Sequence, residues 1–292
     1  MQEGIIVNNI SNLYEVEIKN EIYECQARGK IKNDDISPVV GDKVKINIIN
    51  GKNGVIEEIL NRKNYIKRPK IANITQIVFV VSMDMPKPDL LLLDKQLAFA
   101  SYQRIKPIIC FNKIDLEDND IISQIEETYR KIGYVVLKTN AKTGENVEKL
   151  IKFLKENITA FSGNSGVGKS TLINNIFNDK ITDEGEISLK NKKGKNTTTS
   201  VKLFKVDNNS YIADTPGFSS FDIQEISSAE LSHHFIEFNE YINDCEFIGC
   251  SHIKERKCGI KDALANNKIS KNRYENYCKI YQELKNMEDK RW

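Results

Sequence analysis

The stretch Gly-Asn-Ser-Gly-Val-Gly-Lys-Ser-Thr at 163–171 constrains the fold more than any other part of this chain. It fits Gly-x-x-x-x-Gly-Lys-[Ser/Thr], follows the apolar run Ile-Thr-Ala-Phe and opens the helical run Ser-Thr-Leu-Ile-Asn-Asn-Ile-Phe. A strand, a glycine-rich turn and a helix in that order call for a mainly parallel sheet covered by helices on both faces. Gly163, Gly166 and Gly168 free the backbone, together with Asn164, Ser165 and Val167, to wrap a phosphate with its N–H groups. Lys169 supplies charge for β- and γ-phosphates, and Ser170, followed by Thr171, offers a hydroxyl to Mg²⁺ at a helix N-terminus that favours anions. An ordinary glycine-rich turn would need neither the lysine nor the hydroxyl.

Two further elements belong with it. Tyr-Ile-Ala-Asp-Thr-Pro-Gly at 211–217 ends a strand on Asp214, where a carboxylate can hold magnesium, and the Gly217 N–H can meet a γ-phosphate. Between the two motifs, Thr197, Thr198 and Thr199 stand in a polar loop, and one of them, Thr198 being central, could reach Mg²⁺ and sense the γ-phosphate. The spacing does not choose among the three.

Upstream of the phosphate loop lies Asn112-Lys113-Ile114-Asp115. Asp115 can accept both hydrogen bonds from the N1–H and exocyclic amine of guanine, an edge that adenine does not present. Asn112 is placed to tie this loop to the phosphate loop, and the Lys113 stem to cover the purine face. Thr139-Asn140-Ala141-Lys142, again after an apolar strand, resembles the Ser-Ala-Lys element whose backbone approaches guanine O6; Ala141 and Lys142 are its candidates. The order base loop, second base loop, phosphate loop, threonine loop, Asp-x-x-Gly is a circular permutation of the usual GTPase order. It is no obstacle, because ligands in a doubly wound sheet bind across loops at the strands' carboxyl ends whatever order the chain visits them.

The flanks read differently. Residues 1–68 carry four or five short alternating runs punctuated by Asn, Gly, Asp and Pro, the pattern of a small closed barrel, most simply an OB fold, with an SH3-like barrel as the alternative. Arg62, Lys63, Lys67, Arg68 and Lys70 follow without an acid: either a solvated linker or a strip that contacts phosphates. Residues 69–222 form the nucleotide-binding α/β part, and 223–292 read as helical, including Ser-Ser-Ala-Glu-Leu-Ser-His-His-Phe-Ile-Glu-Phe-Asn-Glu-Tyr-Ile.

Six cysteines divide by position. Cys25 and Cys110 stand in strands as small core residues and Cys278 in a late helix as a packing residue. Cys245, Cys250, His252 and Cys258 form C-x₄-C-x-H-x₅-C, a donor set suited to one structural, tetrahedral Zn²⁺. From Ser251 onward 11 Lys/Arg face 6 Asp/Glu, a local excess compatible with RNA backbone contact, whereas the whole chain carries a net charge of only +2. The start Met-Gln-Glu-Gly-Ile-Ile-Val lacks the apolar core of a secretory signal, and no apolar run is long enough to span a bilayer. A cytoplasmic, monomeric protein without a membrane partner is the expectation.

The permuted order, the N-terminal barrel and the C-x₄-C-x-H-x₅-C cluster together resemble the ribosome small-subunit-dependent GTPase A family over essentially the whole chain. The resemblance implies an OB-fold domain, a circularly permuted GTPase domain and a helical zinc-binding domain. It also implies a role in late maturation of the small ribosomal subunit, with rRNA contact and GTP hydrolysis to GDP and phosphate stimulated by that subunit. Two positions depart from the pattern: Asn196 stands where the family usually has a histidine before the threonines, and Phe218 where many GTPases have a water-orienting glutamine. No histidine role carries over, and Lys169, Gly217 and Thr198 are left as candidates for acting on the γ-phosphate. Slow intrinsic hydrolysis, accelerated when a partner orders the switch loops, is expected. Two other classes stay open: a non-catalytic rRNA-binding module with a structural nucleotide site, and a P-loop kinase of a small molecule, which would leave Asn-Lys-x-Asp without a purpose.

Overall fold

Alternation closes the N-terminal strands into a barrel. The computed structural model describes residues 1–29, 37–115, 119–178, 201–214 and 223–290. β1 (Gln2–Ile10), β2 (Leu13–Ile18), β3 (Glu21–Ala27), β4 (Lys43–Asn50) and β5 (Asn53–Ile59) turn Ile6, Val16, Cys25, Val44, Ile46 and Ile56 inward, all fully buried. β1–β2, β2–β3, β4–β5 and β1–β4 pair antiparallel and β3–β5 parallel, so the ribbon meets itself and leaves no free edge. This Greek-key closure is the OB-like alternative rather than an SH3-like one. Burial pushes the Cys25 thiol up to about 11, in keeping with a packing role.

The basic run after the barrel is not one uniform strip. Arg62 is taken by a buried partner: its guanidinium donates to both oxygens of Asp42, at 2.7 and 2.8 Å, and to Ser37 O at 2.8 Å. Lys67 pairs with Glu225 at 3.1 Å. β6 (Tyr65–Lys67) and β7 (Lys70–Ala72) make a hairpin with Arg68 and Pro69 in its turn, and Asn73 joins it to the barrel by donating to Gly41 O at 2.9 Å.

The α/β part is built on β8 (Gln76–Ser82), β9 (Lys106–Asn112), β10 (Val135–Thr139), β11 (Ile158–Ser162), β12 (Lys202–Asp207) and β13 (Ser210–Asp214). Its order is β10-β9-β8-β11-β13-β12, parallel except for β12. Every residue of β8 and β11 is buried, which is why these segments read as continuous apolar runs. Alternate residues serve two cores. Ile77 and Phe79 pack with Leu93 and Leu97 of α1 (Leu90–Tyr102) and Tyr129 of α2 (Asn119–Ile132). Val78 and Val80 pack with Leu150 of α3 (Val147–Leu154) and Leu172 and Ile176 of α4 (Lys169–Asn178). The chain runs outward from β8 through β9 to β10, then returns to β11 on the other flank of β8, so the switch point lies between β8 and β11. Sequence reading missed β12, which also pairs with β1 at Asn8↔Lys202 and makes the sheet continuous with the barrel.

The C-terminal part differs from expectation in one segment. Instead of one α-helix, residues 223–244 hold 3₁₀ turns at Ile223–Glu225, Leu231–His234, Ile236–Phe238 and Ile242–Asp244. Bonds from His233 N to Glu230 O, Phe238 N to Phe235 O and Tyr241 N to Phe238 O have the i→i+3 pattern. The physical reason is spacing: side chains three apart eclipse in a 3₁₀ turn, and this lets Phe235 and Phe238 both pack on Tyr277, at 5.3 and 4.9 Å between ring centroids. Tyr277 belongs to α6 (Lys271–Asp289), which follows α5 (Gly259–Ala265). A buried polar cluster docks this part on α1: Arg273 pairs with Asp94 and Glu237, and Asp94 also accepts from Asn276 and Tyr129, each at 2.7 Å. Among the described residues no helix is long and apolar enough to cross a membrane.

Candidate nucleotide site and metal centre

The phosphate-loop residues lie where β11 ends beside β8, at the switch point. Gly163 has φ +142, and a Cβ there would come within 2.2 Å of Val80 O, so only glycine lets the loop leave between the two strands. Gly168, at φ +100, passes so close to Asn112 that a Cβ would stand 2.2 Å from its Nδ2. Val167 is buried beneath the loop, while Ser165, Gly166, Ser170 and Thr171 are exposed. Lys169 Nζ bridges the loop by donating to Gly163 O at 2.7 Å and Asn164 O at 2.8 Å, and partial burial lowers its pKa.

Asn112 joins the loops that the sequence keeps apart. Only 1% exposed at the end of β9, it donates to Val167 O at 2.8 Å. Its Oδ1 accepts from Ala141 N at 2.9 Å and from Thr139 Oγ1 at 3.2 Å. Asn175 of α4 adds a second tie, donating to Ala141 O at 2.6 Å. The Asn-Lys-x-Asp loop, the Thr-Asn-Ala-Lys loop and the phosphate loop thus form one rim. Lys113 reaches Met85 O, and Asp115 and Lys142 are exposed beyond it. Asp214 ends β13, the parallel neighbour of β11, on the same edge of the sheet. Thr198 and Gly217, like Thr197, Thr199, Asn196 and Phe218, lie outside the described residues. Ser170 in the first turn of α4 and Asp214 at the end of β13 offer hard oxygen donors, a set whose chemistry fits Mg²⁺.

Three residues of this rim were not singled out in the sequence. Asp89 caps α1 by accepting from Leu92 N at 2.9 Å and faces Asn164 Nδ2 at 3.4 Å. Gln96, buried in α1, donates to Ser162 Oγ at 3.1 Å just before the phosphate loop. The aspartate directly before Leu-Leu-Leu-Leu is a helix-start signal that could have found Asp89; Gln96 and Asn175 give no local signal.

The second site is the cysteine–histidine cluster. The ligand atoms of Cys245, Cys250, His252 and Cys258 all lie within 4.8 Å of one another. Cys245 Sγ is 3.5 Å from His252 Nδ1 and 3.9 Å from Cys258 Sγ, and His252 Nδ1 is 3.4 Å from Cys258 Sγ. Tetrahedral bonds of about 2.3 Å to sulfur and about 2.0 Å to nitrogen require sulfur–sulfur and sulfur–nitrogen edges of roughly 3.8 and 3.5 Å. The donors therefore fit Zn²⁺ in both chemistry and spacing. Cys258 and His252 are buried, and Phe238 and Tyr277 stand edge-on or tilted to the His252 ring, each at 6.2 Å. Glu255, pushed up by its own burial, is nonetheless held down at about 2 by the backbone N–H groups and the Ser251 hydroxyl that it accepts from. His234 is not a ligand; it meets Ser101 of α1 at 3.2 Å.

Comparison with known proteins agrees with this architecture. The family model "RsgA GTPase" matches residues 59–224 and "RsgA N-terminal domain" matches residues 3–56. The chain is 40% identical over 290 residues to the Small ribosomal subunit biogenesis GTPase RsgA of Caldanaerobacter subterraneus subsp. tengcongensis, covering 99% of this chain and 98% of that one. It is 43% identical over 286 residues to the protein of the same name from Clostridium novyi, covering 97% of each. Among solved structures, YjeQ from Thermotoga maritima superposes with a TM-score of 0.84 at 36% identity, covering 97% of this chain and 98% of that chain. YloQ, described as a circularly permuted GTPase, gives 0.83 at 34% identity, with 98% and 96% covered. The permutation inferred from the early position of Asn112–Asp115 is therefore a property of the fold, and the chain belongs to the RsgA GTPase family and is a GTP hydrolase.

Proposed function

We propose that this GTP hydrolase acts in biogenesis of the small ribosomal subunit, as the names of its relatives say of them, that its step is late maturation, and that the subunit stimulates its hydrolysis. The observation that carries the site assignment is the Asn112 tie, which joins both base loops to the phosphate loop across a permuted chain. In this reading Asn112, Lys113, Asp115, Ala141 and Lys142 hold guanine. Residues 163–171 hold the phosphates, with Lys169 neutralising the β- and γ-groups. Ser170, Asp214 and Thr198 hold Mg²⁺, which would neutralise charge on the transferred phosphoryl group; Gly217 N–H meets its oxygens. Asn196 and Phe218 leave no evident group for orienting water, so the intrinsic rate is slow and a partner supplies order.

The division of labour follows the chain: residues 1–68 as an RNA-binding barrel, 69–222 as the GTPase domain, and 223–292 as a domain stabilised by one structural Zn²⁺ on Cys245, Cys250, His252 and Cys258. The barrel and C-terminal parts contact rRNA, and the protein works in the cytoplasm as a monomer. Threonine loop and Asp-x-x-Gly lead straight into the C-terminal part, so γ-phosphate occupancy biases how that part meets RNA. The helix α1 supports such coupling, because Asp89 faces Asn164 of the phosphate loop and Gln96 holds Ser162 just before it, while Asp94 anchors Arg273. Pull-down of small subunits under a non-hydrolysable GTP analogue and under GDP tests the reading. Retention under the analogue and loss under GDP is expected; equal retention would reject the nucleotide switch.

A further inference from the structure

The turn that carries two of the four thiol–imidazole ligands is strained, and one carboxylate of the chain holds it from within. His252 adopts φ +59, a left-handed conformation disfavoured for a residue with a Cβ. Around it, Glu255 Oε1 accepts from Ser251 N at 2.7 Å, and Oε2 accepts from Ile253 N at 3.0 Å, Lys254 N at 3.1 Å and Ser251 Oγ at 3.1 Å. The amide of His252 faces the Cys250 thiol. The carbonyls are taken from the other side: Tyr277 OH donates to Ser251 O at 2.9 Å and Tyr274 OH to His252 O at 2.7 Å. Lys261 Nζ closes the base by donating to Glu255 O. Successive amides converging on one anion form a nest of the kind that elsewhere binds phosphate; here the anion belongs to the chain itself. Both carboxylate oxygens are turned to amides, so Glu255 is no fifth ligand.

We propose that Glu255 is the positioning residue of the Cys245–Cys250–His252–Cys258 centre, its carboxylate filling a backbone nest that fixes the left-handed turn at His252 and holds that turn ready for the metal. This rests on the reading of the cluster as a zinc site. A preorganised turn spares the metal the work of ordering Cys250 and His252, and groups that orient ligands in this way typically contribute about 10- to 100-fold to metal affinity. Glutamine keeps the shape but removes the charge and turns a donor toward donors. Aspartate keeps the charge but draws it back by one methylene from Ser251.

The test uses the full chain, with zinc affinity measured by competition against a chromophoric chelator. Co²⁺ substitution is read in parallel, through its thiolate charge-transfer and tetrahedral d–d bands. Wild type binds one equivalent, and Glu255→Gln binds about 10- to 100-fold more weakly with the same thiolate bands, while GTP binding by the distant loops is unchanged. Glu255→Asp falls between and reads the same effect should the glutamine variant not fold. A role in general stability alone would instead lower GTP binding and zinc affinity together and overturn the proposal. Affinity within about twofold of wild type would overturn it too, with the zinc reading intact. A wild-type chain that takes up no zinc would overturn both.

Discussion

Removing Asn112 is the perturbation that most directly separates an assembled nucleotide rim from a set of unrelated loops. Asn112→Ala deletes two good buried hydrogen bonds, to Val167 O at 2.8 Å and from Ala141 N at 2.9 Å, and leaves both backbone groups without that partner. An orphaned buried polar group costs about 1–3 kcal/mol, so the pair amounts to about 2–4 kcal/mol over the lower part of the range. The loss falls on ligand affinity, because the freed loops are those that a nucleotide must find in register. At about 1.4 kcal/mol per decade, GTP and GDP affinity falls by about 30-fold to about 10³-fold. Asn157→Ala, at a half-exposed asparagine outside the site, is the control. Asn157 accepts from Thr75 Oγ1 at 2.8 Å and donates to Lys155 O at 2.7 Å, but it lies at the opposite end of the same sheet. Fluorescent-nucleotide titration and thermal unfolding of both variants give the comparison. An affinity loss confined to Asn112→Ala is predicted, with Asn157→Ala changing stability alone. Equal nucleotide affinity in the two variants would refute the reasoning.

Arg273→Met leaves Asp94 and Glu237 buried without their cation and lowers stability by about 3–5 kcal/mol, as read from urea unfolding of the full chain; a change below about 1 kcal/mol would show that the cluster is not a docking element. Asp115→Asn weakens GTP by about 10²-fold or more in competition titrations while leaving the fold unchanged, because the amide presents a donor to one of guanine's donors; unaltered affinity would remove Asp115 from base recognition.

What could be read in the sequence depended on whether a residue's partners were local. The glycines, Lys169 and Ser170 announce themselves because a phosphate loop must be written contiguously, and Asn112 because its loop is a short fixed pattern. C-x₄-C-x-H-x₅-C was legible for the same reason: all four donors fall within one turn-rich segment. Arg273 was not legible. Its partners Asp94 and Glu237 come from α1 and a 3₁₀ turn, and nothing in the local pattern distinguishes that arginine from its exposed neighbours. Arg62 was read as part of a basic strip because Asp42, which neutralises it, stands 20 residues earlier in the chain, just before the strand that pairs with β5. The 3₁₀ series failed for another reason: a spacing of three between Phe235 and Phe238 is also a valid helical spacing, and only the aromatic stack on Tyr277 decides between them. β12 was hidden because Leu203, Phe204 and Val206 are interleaved with lysines that pair to Glu15 and Glu17 of the barrel.

Single-turnover GTP hydrolysis by the full chain, with and without purified small ribosomal subunits, tests the central claim most directly. A slow reaction alone and a faster one with subunits, abolished in both arms by Lys169→Ala, is the predicted result. Hydrolysis equally fast with and without subunits would contradict the account.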